Sequence, residues 1–265
     1  MQTDQSASYS SDDSKSSDEW DKNYLQFMQT DLVAYYASRA AEYEKLYEKP
    51  ERQQDLARLS AILQDIFREK NLLEVACGTG WWTQRLALTA GSVLATDINE
   101  SMLDITRSKY YANNNVRFQR DDIFQSAVEH TFDGLFGGFI WSHIPLEQLD
   151  VFLGHIRRRL QSGATLVFID NLFVPGSSTP ISHTDKASIS KTDEFYEPGS
   201  STPLSHTDKT GNTYQTRLLE DGSEHRVLKN FPAPEFLKEK LSTIGGGFEY
   251  RELDYYWLAA CKMPD

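Results

Sequence analysis

Leu72-Leu73-Glu74-Val75-Ala76-Cys77-Gly78-Thr79-Gly80 is an apolar run that closes on an acid and a glycine-rich turn, and Trp81-Trp82-Thr83-Gln84-Arg85-Leu86 follows as an amphipathic stretch. That order predicts a strand, a tight loop and a helix. Glycines in such a loop let backbone amides approach a ligand closely, and the helix start supplies oriented N–H donors. A second apolar run, Ser92-Val93-Leu94-Ala95-Thr96, ends on Asp97, 17 residues after Gly80. An acid at that place can take both hydroxyls of a ribose. Together these features mark a site for a cofactor that carries a nucleoside.

The identity of the nucleoside cofactor turns on a third glycine, because a dinucleotide fingerprint uses it for close helix packing beneath a pyrophosphate. Thr83 stands at that position, and Trp81 and Trp82 crowd the helix start where a diphosphate needs open N–H groups. An adenosine cofactor without phosphate is the alternative. On the residues Glu74 to Gly80, with Ala76 where glycine is commoner, the chain resembles the class I S-adenosylmethionine-dependent methyltransferases. The resemblance continues through Asp97-Ile98-Asn99, Ser101-Met102-Leu103 and Asp121-Asp122-Ile123 after Val116-Arg117-Phe118, covering roughly residues 35–170.

Composition agrees with a soluble enzyme. The 265 residues suffice for one large or two small domains, and 39% hydrophobic with 12% aromatic residues can fill a core. No apolar run approaches the length of a membrane span, and the Ser/Asp-rich start has no apolar segment of the signal-peptide kind. Cys77 and Cys261 make no disulfide framework, so a reducing cytoplasm is expected. A formal charge of −12 disfavours a nucleic-acid partner. The run Arg157-Arg158-Arg159 reads as a solvated helix face.

Residues 1–19 carry little apolar content and are expected to be a disordered acidic tail. From Asp21 to Tyr47 the chain reads as helical, with Tyr35, Arg39, Tyr43 and Tyr47 spaced at i, i+4 on one face. A second helix spans Glu51 to Glu69. Strands at 72–76, 92–96, 116–120, 133–138 and 165–170 alternate with helices at 81–90, 100–111 and 146–160. This pattern predicts an α/β fold with a doubly wound parallel sheet and ligands at the C-terminal ends of its strands.

After Asp170 the alternation breaks. Residues 175–186 (PGSSTPISHTDK) recur at 198–209 (PGSSTPLSHTDK), an offset of 23. Two copies are too few for a solenoid, and a tandem duplication within a surface loop is the better reading. The copies bring His183 and His206, which read as loop histidines because neither has a partner at metal-ligand spacing. Asp221-Gly222 between two apolar runs signals a hairpin, Pro234 to Ser242 a helix, and 248–253 with 255–261 two closing strands.

The resemblance implies a seven-stranded sheet of order 3-2-1-4-5-7-6. Residues 20–170 and 232–265 would form the methyltransferase domain, with 171–231 as an insertion over the acceptor site. It implies S-adenosyl-L-methionine as cofactor, with Glu74, Ala76, Cys77, Gly78 and Gly80 around its methionine portion and Asp97 with Ile98 at the ribose. Met102 lies on the following helix, Asp122 and Ile123 would meet the adenine, with Asp121 as the one-residue alternative, and Phe139 would face the cofactor. Arg39 would pair either with the cofactor carboxylate or in a surface salt bridge.

Methyl transfer is an in-line displacement at a sulfonium, so alignment and water exclusion dominate. Tyr35, Tyr36, Tyr43, Trp81, Trp82 and Trp141 are candidate aromatic walls, and His143, just past the fourth strand, is the candidate base for a hydroxyl acceptor. Asp170-Asn171 resembles two ligands of magnesium-dependent relatives, but Gly137-Gly138-Phe139 supplies no third carboxylate, so no metal is expected. The sequence thus reads as a methyltransferase acting on an oxygen or nitrogen of a small-molecule acceptor. A non-catalytic cofactor-binding regulator and an NAD(P)-dependent oxidoreductase are the alternatives.

Overall fold

The computed structural model of the chain describes residues 32–126, 128, 131–175, 201–218 and 222–265. The expected acidic tail, the start of the first helix, the first copy of the repeat with His183, and the tip of the predicted hairpin lie outside them.

Helix α1 covers 32–38 and passes into a 3-10 segment, Ala40–Tyr47. Two of the expected i, i+4 pairs meet: Arg39 Nη1 donates to the Tyr35 hydroxyl, and Tyr43 packs edge-on against Tyr47 (ring centroids 6.1 Å apart), while Tyr36 packs edge-on against Tyr43 (5.9 Å). Helix α2, Gln53–Ile66, buries Leu56, Leu59 and Leu63. The alternating core then runs β1 Asn71–Val75, α3 Trp81–Leu86, β2 Ser92–Asp97, α4 Glu100–Arg107, β3 Val116–Arg120, β4 Phe132–Gly138, α5 Leu149–Arg157 and β5 Leu160–Asn171. A separate group follows, β6 His206–Thr207, β7 Thr213–Leu218 and β8 Glu224–Leu228, before α6 Pro234–Ser242, β9 Gly246–Glu252 and β10 Tyr256–Lys262. Each helix of the core is shorter than the periodicity suggests, because the last apolar residues of each stretch sit in the turn that leads to the next strand.

The main sheet has the order β3-β2-β1-β4-β5-β10-β9, the expected topology with β9 and β10 as the sixth and seventh strands. β1 to β5 run parallel, and β10 is antiparallel to both β5 and β9. Both faces are covered. On one, Leu135, Phe152, Leu166 and Trp257 join a buried cluster with α5 and α6; on the other, Leu59, Leu63, Phe67, Leu86 and Phe136 join one with α2 and α3. This two-sided burial is why the inner strands read as continuous apolar runs rather than alternating ones. β7 and β8 form the hairpin predicted around Asp221-Gly222, and β6 adds to its edge.

The arginine run behaves differently from the sequence reading. α5 ends at Arg157, and Arg159 is buried, its guanidinium donating to Ser126 Oγ and to the carbonyls of Ser126 and His155. It ties the helix to the loop before β4 instead of solvating it.

Candidate active site

The C-terminal ends of β1, β2, β3 and β4 converge on a cavity of about 200 Å³. The loop after β1 carries it. Ala76, Gly78 and Gly80 all have positive φ (53°, 56° and 81°). Alanine in this conformation costs roughly 1–2 kcal/mol, which explains why glycine is commoner at the position of Ala76. The loop is locked to the next strand by one carboxylate: the Gly78 N–H donates to Asp97 Oδ2 and the Asn99 N–H to Asp97 Oδ1, each at 2.8 Å. Burial raises the Asp97 pKa, and the backbone N–H bonds lower it in opposition. Each carboxylate oxygen has a further acceptor site, the requirement for holding a diol.

Of the residues expected around the cofactor, Ala76, Gly78, Asp97, Ile98, Met102, Asp122, Ile123 and Phe139 line this cavity, together with Asp121. Glu74, Cys77 and Gly80 are not on its wall. Glu74 is 1% exposed within β1, and burial pushes its pKa up to about 8. The Cys77 thiol faces the core, and its backbone N–H donates to the Thr96 carbonyl. A Cβ at Gly80 would stand 1.9 Å from Thr106 Oγ1, so this glycine lets α3 pack against α4. Phe139 is held at φ 60°, a strained conformation at the end of β4.

The aromatic walls sort themselves by burial. Trp141 is core, its ring 5.1 Å from Phe168. Trp82 is also core, and Trp81 stacks on Tyr47 at 4.4 Å with the Arg85 guanidinium over its ring. Tyr36 and Tyr43 do line the cavity, while Tyr35 faces a neighbouring one.

His143 lies in a 3-10 turn after β4, half-buried against the end of β8. Its Nδ1 is 2.6 Å from the Leu228 carbonyl oxygen and its Nε2 is 2.7 Å from the Tyr36 hydroxyl. A carbonyl only accepts, so Nδ1 carries the proton and Nε2 presents a lone pair that accepts from Tyr36. Burial, aided by the Lys229 charge, lowers the imidazole pKa to about 3. The group is a neutral imidazole of fixed tautomer.

Beyond His143 lies a second cavity of about 130 Å³, and Tyr36, Phe139 and His143 line both. Its wall carries Arg39, Lys49, Arg52, Arg217 and Lys229. The structure places Arg39 here and not on the first cavity's wall; its Nη1 donates to the Tyr35 hydroxyl at 2.8 Å. Lys229 is neutralised: its Nζ is 2.7 Å from Asp170 Oδ1 and 2.6 Å from Ser142 Oγ. Asp170 also accepts the backbone N–H groups of Ser142 and Asn171, so its oxygens serve this network rather than an ion. Burial lowers the Arg217 pKa, and Arg39 and Arg52 lower it further. No local signal in the sequence marks Arg52, Arg217 or Lys229, because α2's approach, β7 and the end of β8 meet only in the folded chain. Among the described residues, no group of three or more His, Cys, Asp or Glu is arranged to hold a metal; His206 packs against Tyr214.

Strand order, glycine loop and the acid at the end of β2 define a class I methyltransferase fold. Residues 72–163 match the family model of a methyltransferase domain. The structure of DhpI in complex with SAH resembles this chain with a TM-score of 0.67 at 23% identity, covering 89% of this chain and 97% of that one. An uncharacterized methyltransferase of Bacillus cytotoxicus is 25% identical over 159 residues, 59% of this chain and 66% of that protein. A demethylmenaquinone methyltransferase of Staphylococcus aureus is 30% identical over 115 residues, 41% of this chain and 47% of its own. The chain therefore spans 66% or less of these curated relatives. Residues 72–163 thus match a methyltransferase domain, and the fold is that of the class I methyltransferases, a family whose cofactor is S-adenosylmethionine.

Proposed function

We propose that the chain transfers a methyl group from S-adenosylmethionine to an oxygen or nitrogen of a small-molecule acceptor. The observation that carries this is the shared wall: Tyr36, Phe139 and His143 stand between the cavity of Gly78, Asp97 and Asp122 and a second cavity of separate lining. A cofactor in the first and an acceptor in the second would meet across these three side chains, the arrangement an in-line transfer needs.

In this reading Asp97 holds the ribose and Asp122 with Ile123 the adenine. The described residues of segment 171–231 stand on the acceptor side in this reading, as Arg217 and Lys229 on that cavity's wall and the Leu228 carbonyl against His143 support. A hydroxyl acceptor is favoured by His143. Its Nε2 lone pair is oriented by the Leu228 carbonyl, and the proton of an attacking hydroxyl passes to it either directly or by way of the Tyr36 hydroxyl, whose own proton moves to Nε2. The transferred methyl leaves S-adenosylhomocysteine.

Incubation of the protein with S-adenosylmethionine and a fractionated metabolite extract, followed by mass spectrometry, tests the proposal. The expected result is S-adenosylhomocysteine formed in step with a product heavier by one methylene. Cofactor binding without turnover would favour a regulatory module, and methylation confined to added RNA would overturn the small-molecule acceptor.

A further inference from the structure

We infer that the second cavity is an oxyanion site, built to hold a carboxylate or phosphate group of the acceptor with Arg217, Arg52 and Arg39, while the methyl-accepting atom of the same molecule lies at the His143 threshold. This rests on the methyl-transfer reading of the two cavities and adds the chemical class of the acceptor.

The argument begins with charge. The chain carries a formal −12, yet among the described residues this cavity is lined by five cations and no Asp or Glu. Lys229 is matched by Asp170, and no Asp or Glu on this wall stands against Arg39 and Arg217. Arg217 Nη1 donates to Thr202 Oγ1 at 3.0 Å and its Nη2 to Gln215 Oε1 at 2.5 Å. Arg39 donates to the Tyr35 hydroxyl, and Arg52 to Asn171 Oδ1 at 3.3 Å while lying over the rings of Tyr255 and Tyr256. The oxygens that Arg39 and Arg217 meet here are neutral ones. Gathering like charges in a part-buried recess is unfavourable unless an opposite charge joins them. These arginines come from the chain after α1, the approach to α2, and β7, so no single amphipathic face accounts for their meeting.

The guanidinium fork fits the oxygens of a carboxylate or phosphate with two parallel N–H bonds, which a lone ammonium cannot do. Neutral groups on the same wall, Thr202 and Gln215 among them, orient the arginine planes. A volume of about 130 Å³ suits a small acid. An anion anchored among the arginines places the rest of the molecule toward Tyr36, Phe139 and His143, where the first cavity begins.

Calorimetry on the whole chain saturated with S-adenosylhomocysteine tests this, with inorganic phosphate and acetate as separate titrants. Saturable binding of one of them is expected, and the tighter one names the group. Arg217→Gln should weaken that binding at least tenfold and leave S-adenosylhomocysteine affinity within twofold, with Arg217→Lys recovering part of the loss. Arg52→Gln provides the same comparison should the first variant lose the nucleoside and hence its fold. In turnover, small hydroxy acids should exceed their neutral amides at least tenfold in kcat/KM. Wild-type protein that binds S-adenosylhomocysteine but neither anion, or variants that bind the anion as wild type does, would overturn the oxyanion site and leave methyl transfer standing. Failure of the wild type to bind S-adenosylhomocysteine would instead strike the methyl-transfer reading.

Discussion

Asp97 takes two backbone N–H groups from two different loops on one carboxylate, so its removal loosens the cofactor cradle as well as the ribose contact we assign to it. Asp97→Ala is expected to weaken S-adenosylmethionine binding by about 1–3 kcal/mol, the range for hydrogen bonds to a charged group. Calorimetry of a still-folded variant with unchanged affinity would remove the ribose assignment. His143 is the complementary case, a side chain oriented on one side by the Leu228 carbonyl and proposed as the base on the other. With a hydroxyl acceptor, His143→Ala should lower kcat by roughly 10² or more while cofactor affinity stays within twofold. Because the folded imidazole titrates only near pH 3, its base form is present throughout the pH range of ordinary assays. The kcat profile should therefore show no acid limb near pH 6.5, and a limb there that vanishes in the variant would contradict the low pKa.

At the scale of elements, the segment joining β5 to β6 returns to where it left. The Ser201 N–H donates to the Val174 carbonyl at 2.7 Å, and the Val174 N–H to Ser201 Oγ at 3.0 Å. Deleting Pro175 to Glu197 removes one repeat unit and leaves Pro198, Gly199 and Ser200 to bridge these two residues, a turn-length connection. Loop closure costs only about 0.6 kcal/mol per doubling of length. The shortened chain should melt near the wild-type temperature and bind S-adenosylmethionine normally. Insolubility or loss of cofactor binding would show that the deleted unit is integral to the core.

Across the whole molecule, stability depends on pH through Glu74 and His143, which titrate in opposite senses. Glu74 has its pKa raised from an ordinary 4.5 to about 8, so its contribution is full below pH 4.5 and is lost as pH rises toward 8. His143 has its pKa lowered from 6.5 to about 3, so its contribution is full above pH 6.5 and is lost as pH falls toward 3. Between about pH 4.5 and 6.5 the two slopes oppose each other, and the thermal midpoint should be highest there. Glu74→Gln should abolish the decline between pH 6.5 and 8. A variant that declines across this interval like the wild type would assign the alkaline limb to another group.

Local chemistry made the sheet and half the site legible. The run from Leu72 to Gly80 announces strand, loop and helix because apolar patterning and left-handed turns are properties of neighbouring residues, and Asp97 follows from the next strand's end in the same way. The strand order came through resemblance, since periodicity carries no information on which strands pair. Burial was less legible: Trp141 and Arg159 look alike on the page to residues at a surface, and packing alone sends both inside. The second cavity was not legible at all. Arg39, Arg52, Arg217 and the tautomer of His143 take their places from contacts between distant parts of the chain, such as Tyr36 to His143 across 107 residues and Arg52 to Asn171 across 119, and interactions at that separation exist only once the sheet, the 3-10 turn and the hairpin have closed on one another.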